Sequence, residues 1–156
     1  QSIMNPILRN IIALILGLAV GMVVNMSLVN MGYSLTPIPG FDPNDPESMA
    51  NLSEVYKNLD FKFYVFPFLA HALGTLVGAF VAALTAAKHK MKFAIAIGCF
   101  FLLGGIMVNY MICGPIWFIA LDIIVAYMPM AWIGGEIALR FSKEDHNNDF
   151  SDEVIA

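Results

Sequence analysis

The chain has 156 residues, of which 59% are hydrophobic and 13% charged, with a net charge of −4, whereas an ordinary soluble domain carries about 25% charged residues. Such a composition excludes a water-soluble globule and an intrinsically disordered chain, and the acidic balance argues against a nucleic-acid partner. Two cysteines in a chain of this length cannot form a disulfide scaffold.

A bilayer core about 30 Å thick needs about 20 consecutive apolar residues in a helix. Gln1 and Ser2 read as the scar of a cleavable tag, Met4 as the natural start, and residues 1–10 as a cytoplasmic N-terminus. Four apolar stretches of spanning length follow, at about 11–31, 63–87, 92–112 and 116–139. The outer loop, 33–62, contains Asp45 followed by Pro46 and Glu47, a helix start in which the carboxylate caps free amides and the proline forfeits no hydrogen bond. A short helix from Pro46 to about Leu59 would place Met49, Leu52, Tyr56 and Leu59 along one side. Pro67 falls in the first turn of the second span, and Pro129 falls in the middle of the fourth, where it should kink the helix. Residues 140–156 form an acidic cytoplasmic tail. The expected fold is an all-α integral membrane protein, an antiparallel four-transmembrane-helix bundle with a short extracytoplasmic amphipathic helix in the first loop.

Lysines and arginines of short loops stay on the cytoplasmic side. Arg9, Lys88, Lys90, Lys92, Arg140 and Lys143 would share that side, leaving Lys57 and Lys62 opposite, so both termini are expected to be cytoplasmic in a bacterial-type inner membrane. Gly17 and Gly21 on the first span, and Gly74 and Gly78 on the second, belong to stripes of small residues spaced by four. In lipid such stripes allow close backbone approach, either within one bundle or between subunits.

Ionisable residues inside hydrocarbon are costly and normally face protein or water. There are three: His71, Asp122 and Glu136. Counting at 1.5 Å per residue places His71 about 10 Å and Asp122 about 8 Å below the outer ends of their spans. Asn25, Asn109 and Thr75 fall in the same half, so the expected ligand or proton site is His71, Asp122, Asn25, Asn109 and Thr75. Glu136 lies four residues before Arg140, a spacing that suits a salt bridge along one face or a cytoplasmic gate.

Met22 and Met26, and Met107 and Met111, are one turn apart on their helices. Thioethers suit Cu(I), which makes these four methionines weak copper candidates. Over five residues the Met22-x-x-x-Met26 spacing is similar to the methionine pair of eukaryotic copper importers. Methionine is also a routine gap-filler, and no metal or other cofactor is assigned.

The expected function is therefore a small polytopic inner-membrane protein, a homo-oligomeric transporter or channel-like protein with a polar His/Asp site in the outer half of the membrane. Its alternative is an accessory subunit docking a larger membrane complex through its small-residue faces. A lipid-modifying enzyme has less support, since no phosphate loop, zinc motif or nucleophile elbow is present. The bilayer itself is the first partner.

Overall fold

The computed structural model describes residues 4–42 and 44–155, with side chains described as far as residue 143. The expected tag scar, and the side chains of most of the acidic tail, lie outside these. Among the described residues the chain is all-helical: α1 (Pro6–Leu35), α2 (Pro46–Lys57), α3 (Lys62–Thr85), α4 (Lys90–Ile112), α5 (Ile116–Val125) and α6 (Met128–Ile155). Four stretches are long and apolar enough to cross a membrane: α1, α3, α4, and α5 continued by the first part of α6 as far as Lys143. Such a chain is compatible with a small multi-pass membrane protein.

Helix ends follow local chemistry. The Asn5 side chain accepts a hydrogen bond from the Ile7 amide, and Pro6 opens α1. Asp45 caps α2 through the amides of Glu47 and Ser48, as its sequence predicts. The turns after α3 and α4 each use a non-glycine residue in the left-handed region, His89 at φ 55° and Cys113 at φ 49°. Both connections are short. The beginning of α1 is tied to the end of α3: the Arg9 guanidinium donates to the Thr85 carbonyl at 2.7 Å, and the Ala87 amide donates to the Asn10 side chain at 2.9 Å.

The first and third helices share the most extensive contact, and α3 also packs on α4 and α6. A Cβ built on Gly17 would lie 2.7 Å from the Gly78 carbonyl oxygen, and one on Gly21 would lie 2.8 Å from that of Gly74. The reverse approaches, Gly78 to the Gly17 carbonyl and Gly74 to that of Gly21, are 2.7 and 3.0 Å. Both glycine stripes therefore close against each other within one chain, the packing inside one bundle that their spacing allows. Ala79, Ala82, Ala83, Ala94, Ile97, Ala131 and Ala138 form the buried core beside this seam.

Three sequence expectations shift. The fourth span is broken: α5 ends at Val125 and α6 begins at Met128, with Ala126 and Tyr127 between them. Pro129 supplies the physical reason, because it has no amide for the Val125 carbonyl and its ring crowds that carbonyl, so the break lies N-terminal to the proline. Pro67 lies beyond the first turn, because α3 starts at Lys62, and it deprives the Phe63 carbonyl of its helical donor. In α2, Leu52 is buried but Met49 is 52% exposed, so the apolar side that rests on the molecule is narrower than expected.

Candidate functional site

Asp122 is completely buried, in the last turn of α5 just before the break. Its carboxylate meets donors from three directions. His71 of α3 places Nδ1 2.9 Å from Oδ1 and 3.0 Å from Oδ2. The Asn109 amide of α4 donates to Oδ2 at 3.2 Å. The hydroxyl of Tyr127, at the break itself, donates to Oδ2 at 2.8 Å and also stands 2.9 Å from His71 Nδ1. As the carboxylate of an ion pair with His71, Asp122 can only accept. That assigns the proton on the near side of the imidazole to Nδ1.

Nδ1 is thus committed, and Nε2 forms no hydrogen bond among the described residues. The His71 side chain retains 16% exposure and lines a cavity. No buried polar side-chain atom among the described residues lacks a partner, so Nε2 is not sealed inside the protein. With Nδ1–H directed at Asp122, Nε2 carries the lone pair of neutral imidazole, and it can accept a hydrogen bond or a proton.

The cavity has a volume of about 300 Å³, at the small end of ligand pockets, which run to about 1,000 Å³. Phe63, Phe66 and Phe118 supply its wall, Tyr33 and Tyr56 contribute phenol rings, and His71, Asn25 and Asn109 supply polar groups. Among the described residues no lysine, arginine, aspartate or glutamate lines it. Tyr56 and Leu52 bring α2 onto the cavity. The Tyr64 hydroxyl donates to the Tyr56 carbonyl, and the Tyr56 and Tyr64 rings meet edge to face at 5.1 Å. Burial pushes the Tyr56 phenol well above its ordinary range, and the negative charges that Tyr64, Asp122 and Tyr33 carry when ionised push the same way.

Of the five expected site residues, three form one hydrogen-bonded cluster: His71, Asp122 and Asn109. Asn25 joins them through the cavity instead; its Cβ is 3.0 Å from a Cβ built on Gly74, and its amide makes no hydrogen bond among the described residues. Thr75 is fully buried and donates back to the His71 carbonyl at 2.7 Å, so its hydroxyl does not face the carboxylate. Tyr127 is the member that sequence reading missed. Its local signal was present, since Tyr127 lies five residues beyond Asp122 and two before Pro129, where a break turns side chains away from regular helical positions. Gly105 of α4 completes the arrangement: a Cβ there would fall 2.0 Å from the Tyr127 hydroxyl oxygen.

Of the remaining candidates, Met26 borders the cavity and the others lie away from it. Among the described residues no ion pair joins Glu136 to Arg140; Arg140 is exposed, where hydration competes with the pair. Gly134 and Gly135 beside Glu136 are packing positions, against the Leu76 carbonyl oxygen and the Met91 sulfur. Met22, Met26, Met107 and Met111 are 45, 55, 66 and 72% exposed. Comparison of the chain with known proteins finds no matching family model, no matching curated protein and no matching solved structure.

Proposed function

We propose that the chain is a small multi-pass membrane transporter that binds a proton at His71 and a solute in the cavity beside it. The four apolar helices cross an inner membrane as an antiparallel bundle, with both termini on the cytoplasmic side where Arg9, Lys88, Lys90, Lys92, Arg140 and Lys143 gather. The cavity then opens toward the outer half, under α2.

The observation that carries this proposal is the placement of the Asp122, His71, Tyr127 and Asn109 cluster at a helix break beside a cavity. Irregular backbone at membrane depth is tolerated where it is buried in protein or lines a cavity, and discontinuous helices are a recurrent way to build transporter sites near the midplane. On the inner side the Gly17, Gly78, Ala82 and Ile97 contacts close the bundle. An occluded inner side with a one-sided cavity is what one state of an alternating-access cycle requires.

The test is proton movement into vesicles carrying the purified chain and an internal pH dye. Outward gradients of small cations, anions and neutral solutes are imposed in turn. At least one gradient should accelerate proton movement above protein-free vesicles, and Asp122→Asn should abolish the acceleration while a melting curve verifies its fold. Traces identical to protein-free vesicles under every gradient would overturn the proposal.

A further inference from the structure

The buried carboxylate creates a charge-balance problem that the chain alone solves in only one way. Asp122 has no exposure, and its one ionic partner among the described residues is His71. Asn109 and Tyr127 offer dipoles and no countercharge. When His71 is protonated on both nitrogens, the pair is neutral. When Nε2 releases its proton, one uncompensated negative charge remains in a water-poor layer, an expensive state unless another cation is present. Among the described residues, the titratable groups that touch His71 are Asp122 from α5 and Tyr127 at the break, those that share its cavity are Tyr33 from α1 and Tyr56 from α2, and α4 contributes the uncharged Asn109.

The walls say which cation suits the place. A strongly hydrated inorganic ion needs several oxygen ligands, and this cavity offers mainly hydrocarbon and ring faces. Phe63, Phe66, Phe118, Tyr33 and Tyr56 all border it. The negative faces of aromatic rings attract organic ammonium groups, most strongly where water is excluded. An anion is disfavoured on the same grounds: it would leave the site with net negative charge even beside protonated His71.

Building on the transport reading above, we infer that the solute is a small apolar organic cation, and that it and the His71 proton take turns in neutralising Asp122. The stoichiometry is one for one. Binding of the cation to the protonated site releases the Nε2 proton, and rebinding of the proton expels the cation. No covalent bond changes, and the pair of occupants makes the protein an exchanger of protons for organic ammonium ions.

The probe is benzyltrimethylammonium, titrated into the full chain in nanodiscs of zwitterionic lipid, with empty nanodiscs subtracted. Its uncharged isostere neopentylbenzene and the anion benzylsulfonate are the comparison ligands. Saturable binding is expected for the cation alone, about tenfold or more tighter at about pH 8.5 than at about pH 5.5, a range that brackets imidazole titration. Asp122→Asn should abolish saturable binding. His71→Gln, which keeps a donor toward Asp122 but cannot hold the exchangeable proton, should bind the cation with no pH dependence. Equal or tighter binding of the isostere or the anion, or a cation affinity unchanged between the two pH values, would overturn the inference, and both results come from the unmodified chain whether or not the variants fold. The two proposals fail separately: saturable cation binding with no coupled proton movement in vesicles sinks transport, whereas proton movement driven by another solute without cation binding sinks the solute class.

Discussion

Gly105 and Tyr127 occupy what would otherwise be the same space. A Cβ on Gly105 would stand 2.0 Å from the Tyr127 hydroxyl oxygen and 2.3 Å from its Cζ, so the absence of a side chain on α4 admits the phenol that donates to Asp122. Gly105→Ala should therefore expel Tyr127 from the carboxylate. Overpacking of a core costs about 1–3 kcal/mol, and at this separation the upper end is expected. A melting-temperature decrease together with loss of pH-coupled proton movement is the expected outcome.

Tyr127→Phe separates the hydroxyl from the ring. The ring keeps its packing on Ala72 and Ala126, while the carboxylate retains His71 and Asn109 but loses one donor. Leaving a buried acceptor short of a partner costs about 1–3 kcal/mol. Equilibrium unfolding in mild detergent should report a loss of that size with helical content unchanged.

The glycines of α1 and α3 give an internal comparison with Gly104. Gly17→Ala should destabilise, because its Cβ would meet the Gly78 oxygen and the Ala82 Cβ, both at 2.7 Å. Gly104 has nothing within 4 Å of a built Cβ, and Gly104→Ala should be neutral or stabilising by up to about 1 kcal/mol through helix propensity. Thermal melting of the two variants, with sizing chromatography to follow subunit number, distinguishes an internal seam from an intersubunit one: Gly17→Ala should lower stability without changing the oligomeric state.

The chain's apolar runs make its helices legible, because spanning length and hydropathy are additive properties of a stretch. The meeting of His71 with Asp122 was also legible, since counting residues from the outer ends placed both at similar depth. Rotation about the helix axis was not. Thr75 and His71 are one turn apart on α3, yet the Thr75 hydroxyl returns to its own helix, which spacing alone does not reveal. Likewise, the glycine stripes state that something approaches closely without naming the partner. The placement of Tyr127 depends on how the chain resumes helix after the break and on the gap at Gly105, two features separated by more than twenty residues.

Alkaline pH should loosen α2. The Tyr56 phenol titrates above its ordinary value of 10.0, chiefly because it is buried. A raised acid of this kind favours the neutral form in the folded state, so its contribution to stability is complete below about pH 10 and is lost as pH rises above that value. Tyrosinate absorbance should show a late-ionising fraction that loses one tyrosine in Tyr56→Phe, and hydrogen exchange over residues 46–57 should accelerate across the same alkaline range.

The proton attributed to His71 can be observed directly by nitrogen NMR of the full chain labelled at its histidine rings, with His71→Gln used to identify the His71 signals. Across the titration Nδ1 should keep its proton, held toward Asp122, and only Nε2 should gain and lose one. Deprotonation at Nδ1, or a neutral ring carrying its proton on Nε2, would contradict the assignment of His71 as an Asp122-anchored proton carrier facing the cavity.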